Sequence, residues 1–222
     1  MKDIVNILKS VGAIIADSHF VGTSGLHFDT YINKDFLYPH TKETSNIGKI
    51  FAEKYKDKNI EVVVGPALGG IILSQWVAFH LSEINGREVL AVYTEKSPDN
   101  GQIFTRGYEN FVKDKRVLVV EDIVTTGGSL LKTAQAVKDA KGNLIAVCAM
   151  VNKNKDLDSN VLGLSFDFLS NLYVDTYEAK SCPLCKSNVP INTQFGHGKK
   201  FLEKKNLSPT PLLNKERGEG VR

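Results

Sequence analysis

Two neighbouring carboxylates followed by a run of threonines and glycines are the residues of this chain best suited to chemistry. They lie in Val117-Leu118-Val119-Val120-Glu121-Asp122-Ile123-Val124-Thr125-Thr126-Gly127-Gly128-Ser129. The apolar half predicts a buried strand that ends in the two acids, and the small residues then open a helix. A helix start presents free backbone N–H groups and a partial positive charge. Gly127 and Gly128 let that backbone approach a ligand, and Thr125, Thr126 and Ser129 add hydroxyl donors. The result is a cradle for a phosphate monoester. It has no lysine, so it is not the Gly-Lys-Ser/Thr loop of nucleotide triphosphatases, and the dinucleotide Gly-x-Gly-x-x-Gly turn is absent too. Glu121 and Asp122 would repel a phosphate unless they face something else. Sugar hydroxyls and a divalent metal are the natural partners of such carboxylates. A phosphate cradle with a diol-binding pair beside it describes a ribose 5-phosphate. An acidic cap on an ordinary glycine turn is the blander explanation, and two acids closing an all-apolar strand fit it poorly.

Two further stretches suit anions. Gly65-Pro66-Ala67-Leu68-Gly69-Gly70 follows an apolar run, and its small residues expose successive amides. Lys96 closes Tyr93-Thr94-Glu95-Lys96, and Arg106 sits on the following Gly101–Gly107 segment, predicted to be a flexible loop. A cation at a strand end and another on a mobile loop can clamp an anion. Taken singly, each is as well explained as a solvated surface charge.

The elements that would position these residues alternate. Residues 3–10 have the spacing of a short amphipathic helix. Ile14–Phe20 and His27–Asn33 have strand character around the turn-prone Gly22–Gly25. Thr41–Tyr55 has helical spacing, with Ile47, Ile50 and Phe51 on one face. Core strands are predicted at Ile60–Val64, Val89–Tyr93, Val117–Val120, Leu144–Val151 and within Phe166–Tyr177. Helices are predicted at Gly70–Leu81 and from Ser129 to about Ala140. Strands apolar on both faces, alternating with helices, argue for an α/β fold with a mostly parallel sheet covered on both sides. Ligands in such sheets sit beyond the carboxyl ends of the strands, where the unusual residues fall.

Composition sets the class. The chain has 222 residues, 42% hydrophobic and 24% charged, with a net charge of +3. A core of useful size fits without a disulfide framework. The small net charge, with no helix-turn-helix segment, argues against a nucleic-acid partner. The opening Met1–Leu8 is too short and polar for a signal peptide, and no apolar run approaches a membrane span. A cytoplasmic protein is expected. Cys182 and Cys185 stand three apart. The pair is half of a tetrahedral metal set, for which His197 is a candidate third ligand and no fourth is evident. A tight turn packed against its surroundings is the blander reading of the pair.

The Glu121–Ser129 segment resembles the 5-phosphoribosyl-1-diphosphate (PRPP) motif of the type I phosphoribosyltransferases: an apolar strand, two acids, two apolar residues, Thr-Thr-Gly and a small hydroxyl residue. Four stretches most resemble the orotate branch. They are Thr23-Ser24-Gly25-Leu26-His27-Phe28-Asp29-Thr30-Tyr31, the Gly-Pro-Ala-Leu-Gly-Gly loop, the Glu121–Ser129 segment, and Cys182-Pro183-Leu184-Cys185 with Gly196-His197-Gly198. The resemblance implies a mostly parallel twisted sheet flanked by helices, with a small hood from N- and C-terminal segments. It implies one domain over 1–202, with the hood at 1–40 and about 165–202 and the core at about 41–164. Residues 203–222 are expected to form a flexible tail. It also implies PRPP contacts from Glu121, Asp122, Ile123, Val124, Thr125, Thr126, Gly127, Gly128 and Ser129. Ala67, Leu68, Gly69, Gly70 and Lys96 would join them, and catalysis would use Glu121, Asp122, Lys96 and Arg106. Orotate would meet Thr125 and Lys153, where the family usually carries arginine. Mg2+, bound mainly through PRPP near Glu121 and Asp122, and a homodimer complete the implied picture. A phosphoribosyltransferase for a purine or another base and a non-catalytic PRPP-sensing regulator that binds nucleic acid stand as alternatives.

Overall fold

The computed structural model describes residues 3–22 and 24–207 and divides them into two units. The larger unit comprises the chain up to Ile15 and Ile32–Asp175. Its centre is a six-stranded sheet: β1 Val62–Pro66, β2 Leu90–Lys96, β3 Gln102–Ile103, β4 Arg116–Val124, β5 Asn143–Asn152 and β6 Phe166–Asn171. The spatial order is β6-β5-β4-β1-β2-β3, parallel throughout except for the antiparallel edge pair β2/β3. The expected mostly parallel sheet with flanking helices is therefore present.

Period-two alternation supplies both faces of the sheet with apolar side chains. Val63, Leu118, Val120 and Met150 join one core cluster with α1 Ile4–Ser10, α2 Thr41–Tyr55 and α3 Gly69–Asn85. Val62, Val64, Val117, Val119 and Val147 join the other, with α4 Gly128–Asp139, the loop residue Leu157 and Leu162 at the end of the short helix Ser159–Leu162. Helix α2 forms because Ile47, Phe51 and Tyr55 recur at helical spacing and are buried together. It closes on α3 at Gly48, where a Cβ would lie 2.6 Å from Trp76 Cβ. Gly86, in the left-handed region at φ 61°, ends α3.

Three expectations change. Strand β4 does not stop at the acids. It pairs with β5 as far as Val124↔Asn152, because backbone hydrogen bonding continues after the apolar run has ended. Residues 101–107 are not a free loop, since Lys96↔Gln102 and Glu95↔Ile103 pair as a hairpin. The opening strands shrink to two-residue pieces.

The smaller unit takes Ala16–Tyr31 and the chain from Thr176 on, a narrower set than the expected hood. Phe20–Val21 pairs antiparallel with His27–Phe28, and the Phe20 and Phe28 rings stack with centroids 5.9 Å apart. The two distant segments join where His27 and Tyr177 exchange backbone hydrogen bonds of 2.8 and 2.9 Å. Helices Pro183–Lys186 and Gly198–Leu207 follow. Residues 203–207, expected in the tail, are therefore helical, and the rest of that expectation lies outside the described residues.

Candidate functional site

Past the apolar run Val117–Val120, β4 sends Glu121 and Asp122 to opposite faces of the sheet, as any strand does with successive side chains. Glu121 lines a cavity of about 210 Å³ together with Ile123, Val124, Thr125, Thr126, Gly127, Gly128, Ser129 and Leu130. The sequence motif thus forms a real concavity, with Thr125, Thr126 and Ser129 exposed around it. Gly127 is required twice over. It sits at φ 76°, and a Cβ there would meet Leu162 Cδ2 at 2.5 Å. Its carbonyl accepts from the Leu131 amide at 2.9 Å and so starts α4.

Asp122 is engaged elsewhere. Its Oδ2 accepts from Lys34 Nζ at 2.7 Å and from Tyr38 Oη at 2.9 Å, and its Oδ1 accepts from the Ile123 amide at 2.6 Å. The sequence alone assigns Lys34 and Tyr38 no role. No local spacing links them to a strand more than eighty residues away. Burial works against the Lys34 ammonium, but the Asp122 charge and hydrogen bond, together with the charges of Asp35 and Glu121, more than compensate, and its pKa lies above the ordinary value. Burial first, and the same carboxylate next, hold the Tyr38 phenol protonated. The Glu121 carboxyl is pushed up to about 8, by burial first and by the Asp122 charge next.

The loop after β1 reaches Asp122 from the side. A Cβ at Gly69 would lie 1.7 Å from Asp122 Oδ2 and 2.6 Å from Tyr38 Oη, so only glycine fits. At Gly65 a Cβ would strike the Gly70 carbonyl oxygen at 2.0 Å, which shows how tightly the turn folds on itself. The Ala67–Leu68 peptide is cis, and the Leu68 side chain is exposed. Ala67, Leu68, Gly69 and Gly70 therefore lie beside the acid pair, as their place one strand away implies.

Lys153 also comes into the neighbourhood. Its amide donates to the Val124 carbonyl at 2.9 Å, and the adjacent Asn154 side chain donates to the Thr125 carbonyl at 3.1 Å. Burial lowers the Lys153 pKa, so an anionic partner would favour its charged form. Lys96 and Arg106 are not among the residues lining the cavity. Lys96 is exposed at the end of β2, and Arg106 reaches Glu95 Oε1 at 3.6 Å, an exposed ion pair.

In the smaller unit the cysteine pair finds partners, but not the expected one. Cys182 and Cys185 face His19 and His27, and the ligand atoms of all four lie within 4.8 Å of one another. His197 is outside this group. Its amide bonds the Val21 carbonyl, and its side chain lines a separate cavity with Gly22, Gly25 and Phe201.

The phosphoribosyl transferase domain family matches residues 34–160, more than half of the chain. The orotate phosphoribosyltransferase of Caldanaerobacter subterraneus subsp. tengcongensis is 39% identical over 181 residues, covering 80% of this chain and 88% of that one. The enzyme of the same name from a Thermoanaerobacter species is 36% identical over 86% of this chain and 94% of its own. Among solved structures, Mycobacterium tuberculosis orotate phosphoribosyltransferase in complex with inorganic phosphate superposes with a TM-score of 0.62 at 25% identity, covering 77% and 96% of the two chains. Both the cradle at the end of β4 and these likenesses lead to one assignment: the chain belongs to the phosphoribosyltransferases and, among them, to the orotate phosphoribosyltransferase family.

Proposed function

We propose that this chain transfers the 5-phosphoribosyl group of PRPP to orotate, giving orotidine 5′-monophosphate and pyrophosphate. The cavity over the β4–α4 turn carries this reading, because its lining suits a phosphorylated pentose from end to end. The amides and hydroxyls of 125–129 take the 5′-phosphate, and Glu121 accepts from a ribose hydroxyl. Ile123 and Val124 form the apolar wall. Asp122 takes a second hydroxyl by giving up one of its two side-chain donors, Lys34 or Tyr38.

Pyrophosphate leaves toward Ala67, Leu68, Gly69 and Gly70, with Lys96 and Arg106 closing over it. The bond from the anomeric carbon to the diphosphate oxygen breaks and a bond to an orotate ring nitrogen forms, with inversion. The proton of that nitrogen goes to solvent. Charge builds on the departing diphosphate, so amides and cations around it lower the barrier. Holding both reactants in line supplies much of the remainder. Thr125 and Lys153 meet orotate, whose carboxylate matches a half-buried ammonium.

Carboxylate oxygens at Glu121 and Asp122 are hard donors of the kind Mg2+ prefers. With Asp122 already paired to Lys34, they suit an ion that arrives on a polyphosphate better than one caged by protein. When bound, the ion would neutralise diphosphate charge near these two residues. A homodimer is the assembly expected, and sedimentation velocity tests it. No helix among the described residues is long and apolar enough to cross a membrane.

The deciding experiment follows orotate absorbance in the presence of PRPP and Mg2+, with hypoxanthine, guanine, adenine and uracil as competing acceptors. Turnover with orotate and little with the others is expected. Use of a purine in preference to orotate would move the chain to another branch. PRPP binding with no pyrophosphate released from any base, together with salt-sensitive RNA or DNA binding, would make it a regulator.

A further inference from the structure

The group formed by His19, His27, Cys182 and Cys185 has a chemistry of its own. Its geometry is that of a metal site. His19 Nε2 lies 2.7 Å from His27 Nδ1 and 3.8 Å from each cysteine sulfur, and Cys185 Sγ lies 3.4 Å from His27 Nδ1. Four atoms bonded to one tetrahedral zinc at about 2.0–2.3 Å would stand roughly 3.3–3.8 Å apart. These three sulfur–nitrogen separations already fall in that range, and the two imidazole nitrogens must part to admit the ion.

The orientation of the first ring points the same way. His19 Nδ1 lies 2.8 Å from the Val189 carbonyl, which can only accept, so this nitrogen carries the proton in the neutral ring. The Nε2 lone pair is therefore turned into the group, as the outer hydrogen bond of a metal-bound histidine arranges it. His19, His27 and Cys182 are buried, and Cys185 is partly so. Two thiols and two imidazoles are a poor substitute for an apolar core, yet they stand where the smaller unit needs holding together. Its buried apolar side chains in the described segments, apart from Cys182, are Phe20, Val21 and Phe28. A core this small needs a cross-link.

We propose that His19, His27, Cys182 and Cys185 bind one structural zinc ion that fastens residues 16–31 to the segment beginning at Thr176. Sulfur and imidazole donors favour zinc over magnesium or calcium, and a four-residue set completes the tetrahedron without an open position for catalysis. The two thiols lose their protons to solvent as the metal binds. This site is separate from the transferase reading, and either can fail without the other.

The test uses the full-length protein purified without chelators and with zinc supplied. Elemental analysis should find about one zinc per chain. Replacing the zinc by cobalt should give the intense visible absorption of a tetrahedral site and a thiolate-to-cobalt band. Cys182→Ser and Cys185→Ser should lose the metal, whereas His197→Ala should keep it. Wild-type protein that folds but holds less than a tenth of an equivalent would overturn the proposal. So would a Cys182–Cys185 disulfide found by mass spectrometry in that preparation, or metal lost on replacing His197 and retained without Cys185.

Discussion

Glu121 and Asp122 share a peptide bond but not a surroundings. Glu121 faces the cavity over the β4–α4 turn, while Asp122 sits between Lys34 and Tyr38. The two adjacent acids could be read from sequence as a ligand-binding pair. Their division of labour could not, since it depends on a lysine and a tyrosine delivered by a remote segment. The same limit hid His19 and His27 as partners of the cysteines, 163 and 158 residues away in the two bonded pairs Cys182–His19 and Cys185–His27.

The raised Glu121 pKa gives a testable sign. The folded protein keeps a proton that the unfolded chain releases above its ordinary value of 4.5. This contribution therefore favours folding least at high pH: stability falls as pH climbs from about 4.5 toward 8 and then levels. Glu121→Gln removes the effect. Relative to wild type, the variant should gain on the order of 1–4 kcal/mol between pH 5 and pH 8.5 in urea unfolding. It should also lose at least about a hundredfold in kcat/KM, some 2.7 kcal/mol of transition-state binding. Parallel stability profiles for the two proteins would show that burial does not hold that proton. Lys153→Ala makes a different prediction. Orotate KM should rise about tenfold or more while PRPP affinity stays put, because only the base carries the carboxylate this ammonium would meet. Unchanged orotate kinetics would remove Lys153 from the site.

At the scale of elements, the cradle works because neighbouring strands end together. Parallel pairing of β1 with β4 sets the Gly65–Gly70 turn beside the acids. The strands and the glycine turn were legible because both faces of each strand are apolar and the turn residues have few other uses. The hairpin β2/β3 was not, since Gln102–Ile103 is too short to show a period. The extension of β4 through the acids was hidden because two charged side chains interrupt the apolar run while the hydrogen bonding continues. Gly69→Ala probes the junction. Its Cβ would overlap Asp122 Oδ2 and displace the carboxylate, so PRPP binding measured by calorimetry should weaken by about tenfold or more. Gly86→Ala is the contrast. It strains a left-handed helix end with open space around it, so it should cost about 1 kcal/mol of stability and leave PRPP affinity alone. Equal PRPP affinity in the two variants would mean that the turn does not need its close approach to Asp122.

Across the whole molecule, the two units are held by different means. The larger buries two extensive apolar clusters on the faces of one sheet, whereas the smaller has few buried apolar side chains and is assembled from segments far apart in sequence. Its existence could be sensed from the Gly-rich opening and the cysteine pair, but its boundaries could not, because distant segments meet there without a shared period. Three buried apolar side chains are few to hold segments so distant in sequence, and a bound metal would add to them. Removing zinc with a strong chelator should therefore act locally. Amide exchange should accelerate at 16–31 and 176–204, while the strands of the central sheet keep their protection, since open states of low free energy follow local contact density. Exchange that rises equally in β4 and β5 would mean the two units unfold as one. Exchange that rises nowhere would mean the four-residue group holds itself together by its own hydrogen bonds.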